Sequence, residues 1–149
     1  MGARLPSRTV LFKVAKSVLP RIDISLVFVG PTQARSLNKK LRGKTYTPNV
    51  LSYLASATTG EIIICPSVAD TQASDYGMSK KDFILYLFIH GLLHLKGWAH
   101  SGTMEECERM LLATYSDTFT HPTNETTHRN RNRHRHVPSK NGRGRRTRR

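Results

Sequence analysis

Apolar residues fall along this chain in runs of two periods, and those runs set the expected elements. Between Thr9 and Leu19, Val10, Leu11, Val14 and Val18 share one helical face, and Pro20 stops the pattern. Ile22–Val29 (IDISLVFV) reads as a strand rich in β-branched residues, closed by Gly30-Pro31. A helix is expected from Pro31 to Leu41, with proline at its first position, Ala34, Leu37 and Leu41 as its stripe, and Arg42-Gly43-Lys44 as its end. Val50–Leu54 and Glu61–Cys65 read as short strands, and residues 67–76 as a helical segment before Gly77. Ser79 is placed to cap a helix carrying Asp82 at N3 and running to about Lys96. Its apolar residues, from Phe83, Ile84 and Leu85 to Leu92, Leu93 and Leu95, point in nearly every direction, the mark of a helix at the buried centre of a domain. Thr103 opens a last helix to about Tyr115, with Met104, Cys107, Leu111 and Leu112 expected inward and Glu105, Glu106 and Glu108 outward. The class is α/β (α+β): a small mixed sheet of three or four strands covered by helices, around one central buried helix.

Composition divides the chain in two. Hydrophobic residues make up 38% of it, but the deficit is local: residues 120–149 hold 10 Lys/Arg against one acid, Glu125, and a single aliphatic side chain, Val137. The net charge of +14 thus separates into about +5 for residues 1–119 and +9 for residues 120–149. The expected organisation is a globular domain over 1–119 with a disordered basic tail over 120–149. Cys65 and Cys107 match no CxxC pattern and are expected as free thiols. No apolar run reaches the roughly 18 residues of a membrane span. The first residues lack the apolar stretch and small-residue cleavage site of a secretory signal. A cytoplasmic protein with no membrane contact is expected.

Three histidines, His90, His94 and His100, lie within IHGLLHLKGWAHS, the first two on that most apolar helix and the third just past its end. His90 and His94 stand one turn apart on one face and can aim nitrogens at a common point. Gly97 can take the left-handed backbone that ends a helix, and the returning chain can bring in His100. Two imidazoles in so apolar a helix are costly unless something binds them. Three protein ligands leave a tetrahedral zinc one open position, which is the catalytic type of site. Metzincin proteases share the spacing H-x3-H-x2-G-x2-H, but they carry a glutamate base directly after the first histidine, where this chain has Gly91.

The run from His90 to His100 resembles the signature HGxLHLxGxDH of the YbeY family of metal-dependent endoribonucleases. Leu37–Lys44 is similar to that family's LNxxyRgK segment, Pro48–Tyr53 to its T(D/N)VLSF block, and Gly60–Ile64 to its GdIvI strand, in the same order and over roughly residues 21–115. The resemblance implies one Zn²⁺ per chain held by His90, His94 and His100. It implies that Arg42 matches a functional arginine facing the metal, and that the activity is single-strand-specific RNA cleavage in small-subunit 3′-end maturation and ribosome quality control. Ribosomal RNA and the small ribosomal subunit are the implied partners. Ala99 stands where the signature has an acid, and Pro48 where the family has threonine. Glu105, Glu106 or Glu108 could substitute for that acid, though a charged helix surface is the commoner reading of all three. Ala99 keeps a second function in view, a ribosome-assembly or RNA-binding factor whose metal is mainly structural. The general base, cleavage site, cellular metal and oligomeric state are not legible in the sequence.

The tail contains arginine, asparagine and glycine but no aromatic platform. Arg143, Arg145, Arg146, Arg148 and Arg149 fit a sequence-independent phosphate-binding arm. Truncation after Thr120 is expected to flatten the salt dependence of RNA binding, since each phosphate contact contributes about −0.7 to the log–log slope on a single strand. Fluorescence anisotropy across a salt series checks this, and an unchanged slope would show that the tail makes no phosphate contacts.

Overall fold

Strands form where β-branched residues are densest, and the longest such run takes the middle of the sheet. The structure is a computed structural model describing residues 5–119, so the basic segment from residue 120 lies outside the described residues. β1 (Asp23–Phe28) and β2 (Val50–Leu54) flank β3 (Thr59–Ile64), in the order β1-β3-β2. β1 pairs parallel with β3 and β2 antiparallel, so the sheet is mixed, as expected, with three strands. β3 starts two residues before the expected Glu61 because Thr59 and Gly60 pair with Asp23 and Ile24. Gly60 packs closely there: an added Cβ would lie 2.9 Å from Leu95 Cδ1, which would have to move.

Alternation along β3 sends its residues to two faces. Ile62 and Ile64 enter the main core, whereas Ile63 and Cys65 join Val29, Ala34 and Leu51 on the opposite face. Ala34 brings in α2 (Pro31–Arg42), which ends at Gly43 with φ 66. The main core is built around α4 (Lys80–Leu95), with α1 (Arg8–Val18) and α5 (Gly102–Tyr115) packed against it. The helical segment expected over 67–76 divides into α3 (Pro66–Gln72) and a single 3₁₀ turn (Ala73–Tyr76), closed by Gly77 with φ 64. Cys65 and Cys107 are free thiols. Among the described residues, no helix is long and apolar enough to cross a membrane.

α4 is buried nearly all round, as its sequence requires: Phe83, Ile84, Leu85, Leu87, Phe88, Ile89, Leu92 and Leu93 are all at most 2% exposed. Each such side chain contributes about 1.5–3 kcal/mol on leaving water. Gly91 faces the sheet, where Ile62 Cδ1 would sit 3.2 Å from an added Cβ. The helix therefore packs closely on the sheet, and a larger residue after His90 would require Ile62 to shift.

The two long helices run antiparallel, and a buried carboxylate sets their register. Ser79 caps α4 by accepting from Asp82 N–H at 3.1 Å. The Asp82 side chain, 5% exposed, accepts from Ser116 Oγ at 2.5 Å and Thr118 Oγ1 at 2.6 Å, just past the end of α5. One correction follows from the same packing. Glu105 and Glu106 are exposed as expected, but Glu108 is buried at 3% exposure, because it lies on the same row as the buried Met104 and Leu112. Replacing Asp82 with alanine strands two hydroxyls and is expected to lower the unfolding free energy by roughly 2 kcal/mol. Urea denaturation measures this, and a change below about 0.5 kcal/mol would show that the clamp is immaterial.

Candidate metal centre

His90 and His94 leave the partly buried side of α4 one turn apart, and their Nε2 atoms lie 3.0 Å from each other. The third imidazole arrives by the turn that ends the helix. Lys96 N–H donates to the Leu92 carbonyl, Gly97 N–H to that of His94, and Trp98 N–H to that of Leu93. Gly97 takes φ 97, in the region that L side chains avoid. The reversed chain places the Trp98 carbonyl 3.0 Å from His94 Nδ1. It also brings the exposed His100 ring to 4.6 Å from His94 and 5.1 Å from His90, centroid to centroid. One nitrogen from each histidine lies within 4.8 Å of the others, so the group is able to hold a metal ion.

The hydrogen bonds behind the rings decide what the front presents. His90 Nδ1 lies 2.6 Å from Glu108 Oε1, and a carboxylate can only accept, so Nδ1 carries the proton. The Trp98 carbonyl likewise accepts from His94 Nδ1–H. With both Nδ1 atoms engaged behind, the two Nε2 atoms are the nitrogens left to face each other and the cavity. A metal 2.0–2.1 Å from each of two tetrahedral ligands wants them about 3.3 Å apart. His90 and His94 nearly meet that spacing, and His100, at the surface, is the ligand with room to swing inward. Burial, reinforced by His90, pushes the His94 pKa below its ordinary value, against the opposing pull of the Trp98 carbonyl. The ring thus stays neutral at pH 7, as a ligand must.

Two cavities meet at His90 and His100. One, of about 460 Å³, runs from the three histidines past Asn49 and Ser52 to Arg42 and Tyr46. Arg42 Nη1 donates to Tyr46 Oη at 3.2 Å, and Asn38 Nδ2 donates to the Tyr46 carbonyl at 2.9 Å. The buried Asn38 of α2 thereby ties down the segment that carries Arg42's partner. The other cavity, of about 900 Å³, is lined by Tyr76, Met78, Phe83 and Tyr86 as well as His90 and His100. Tyr86 packs near His90, and its phenol is kept protonated chiefly by burial and then by the neighbouring Glu108.

All four sequence-identified residues thus line one cavity, Arg42 with His90, His94 and His100, while the tail arginines lie outside the described residues. Ala99 is exposed. The Trp98 carbonyl was not foreseen, and Glu108 was named only as one of three acids that could stand in for the one missing at Ala99, with surface charge as the favoured reading of all three. For Glu108 a signal existed, the spacing Met104–Glu108–Leu112 that puts an acid in mid-row between apolar residues. A backbone carbonyl leaves no trace in residue types.

The fold and the site define an α+β protein in which the central helix and the turn after it bring together three imidazoles able to hold a cation, beside an arginine-bearing groove. Residues 7–116 match the family described as Endoribonuclease YbeY. Relatives named Endoribonuclease YbeY include one from Bdellovibrio bacteriovorus, 33% identical over 100 residues covering 66% of this chain and 67% of the relative. Another, from Neisseria meningitidis serogroup B, is 34% identical over 114 residues covering 66% and 68%. The solution structure of a Thermotoga maritima protein shares the fold, with a TM-score of 0.55 and 24% identity over 71% of this chain and 76% of that one. The chain belongs to the YbeY endoribonuclease family.

Because both the Trp98 carbonyl and His100 depend on the turn, Gly97→Ala is expected to weaken Zn²⁺ binding at least tenfold. Strain at that φ should also destabilise the fold by about 1–3 kcal/mol. Competition against a chromophoric chelator measures the first effect. A destabilised variant with wild-type affinity would separate the turn from the site.

Proposed function

We propose that this chain is a zinc-dependent, single-strand-specific endoribonuclease that acts on ribosomal RNA in small-subunit 3′-end maturation and ribosome quality control. The observation that carries this reading is one polar cavity holding three convergent imidazoles at one end and the Arg42 guanidinium at the other. His90, His94 and His100 would hold the metal, and an all-imidazole ligand set favours zinc. When bound, the metal supplies Lewis acidity toward a phosphate oxygen and acidifies water.

The remaining contributions come from the chain itself. Arg42 presents a planar donor fork to phosphate oxygens, where negative charge grows as the phosphorus is attacked. Tyr46 accepts from one of its nitrogens and so limits the arc over which the guanidinium can swing. On the other side of the histidines, the aromatic cavity suits a nucleobase lifted out of its stack, with Tyr76 at 55% exposure offering a face. A duplex keeps its bases paired and cannot offer one, which supports a preference for single strands. The family's endoribonuclease names support RNA as substrate. The basic tail is assigned to phosphate contacts that hold the chain on the small subunit, in the cytoplasm.

The chain is expected to bind about one zinc, lost in His94→Ala, and to cleave single-stranded RNA in a chelator-sensitive way. Arg42→Ala should lower the cleavage rate about 100-fold, the scale for losing one preorganised charge-stabilising group, with RNA affinity changed only a few-fold. Single-turnover cleavage and anisotropy separate the two. Normal RNA binding by a zinc-loaded wild type that never cleaves would instead establish the assembly-factor role, which exposed Ala99 in the acid's place favours.

A further inference from the structure

Glu108 is unlike the acids around it. Glu105 and Glu106 are exposed on α5 and lie within ion-pair distance of Arg109. Glu108 is 3% exposed, and its ion-pair contact among the described residues is His90, at 2.6 Å. No guanidinium or ammonium group pairs with it among those residues. The Tyr86 phenol lies beside the same carboxylate and stays protonated, so it adds a dipole but no charge. A carboxylate out of water with an imidazole and a neutral phenol as its neighbours has no permanent cation to compensate it. The His90 ring is the group through which positive charge reaches it, from a proton on the ring or a cation on the far nitrogen.

We infer that Glu108 is the positioning residue of the metal centre: from α5 it fixes the tautomer and angle of His90, and it supplies the anionic charge that the centre lacks at Ala99. This rests on the metal-site reading given above. A carboxylate hydrogen-bonded to the outer nitrogen of a ligating histidine makes the inner nitrogen a stronger donor and holds the ring in place. The geometry singles out His90 for this support. His94 leans on the Trp98 carbonyl, which orients but carries no net charge. The antiparallel packing that joins Asp82 to Ser116 and Thr118 also aligns Glu108 with His90, so the support comes from a different helix than the ligands.

A purely structural role for Glu108, as a clamp between α4 and α5, predicts a different outcome. The test compares full-length wild type, Glu108→Gln and Tyr86→Phe, using Zn²⁺ in chelator competition, thermal melting with the metal stripped, and visible absorption of the Co²⁺ form. His94→Ala serves as the baseline, because histidines beyond residue 119 contribute equally to all four proteins. Glu108→Gln is expected to bind Zn²⁺ 10- to 100-fold more weakly, with shifted Co²⁺ bands. Its metal-free melting temperature should be unchanged or higher, since a poorly paired charge has gone. Tyr86→Phe should lose less than fivefold. Unaltered Zn²⁺ affinity in Glu108→Gln, or a lower metal-free melting temperature with unaltered Co²⁺ bands, overturns the proposal. Should Glu108→Gln fail to fold, Glu108→Asp, which keeps the charge but withdraws it from Nδ1, is read the same way. If wild type binds no more Zn²⁺ than His94→Ala, the metal-site reading itself fails, a result distinct from any effect of Glu108.

Discussion

Two imidazole nitrogens face each other at 3.0 Å on the most deeply buried helix of the protein, and the site follows from how those two rings are held. Isolated in water, either ring would rotate freely. Here neither does. A buried carboxylate accepts from one Nδ1–H and a backbone carbonyl from the other. Turning either ring away would leave a buried acceptor without its donor. Holding two imidazoles at one point in this way is a demand on the chain around them, and packing sets their orientation.

That demand can be sustained only on a rigid platform. α4 supplies it because nearly all of its non-histidine positions are committed to the core, leaving a narrow polar window at His90 and His94. Gly91 lets the helix settle against Ile62, and Gly97 turns the chain back before it can leave the site. Gly91 also separates this centre from a zincin protease. The position that would hold a glutamate base is a glycine packed on the sheet, so a side chain there would have to displace Ile62.

Much of this was legible in the sequence because it depends on local periodicity and on residues that act near their own position. β2 falls at Val50–Leu54 as expected, Ser79 caps α4 beside Asp82, and the H-x3-H-x2-G-x2-H spacing brings three rings together through one helix and one turn. What escaped was set by contacts between distant segments. β3 gains Thr59 and Gly60 only because β1 runs beside them. Glu108 reads as one more charge in the run Glu105–Arg109 until α4 covers it, since helical phase shows which residues share a row but not whether a neighbouring helix lies on that row. Four acidic or basic residues among five outweigh, by eye, the apolar spacing of Met104 and Leu112 that told the opposite story.

The arrangement also divides the centre into a fixed half and an adaptable half. His90 and His94, with Glu108 and the Trp98 carbonyl behind them, belong to the interior. His100, Ala99 and Arg42 are exposed. Affinity for a cation depends chiefly on the interior half, because there the ligands are oriented and desolvated before anything binds. Handling of a substrate depends on the exposed half, where side chains can be exchanged without disturbing the core. Ala99 belongs to the exposed half, and the carboxylate that meets an imidazole of the group, Glu108, reaches it from α5 and not from the turn.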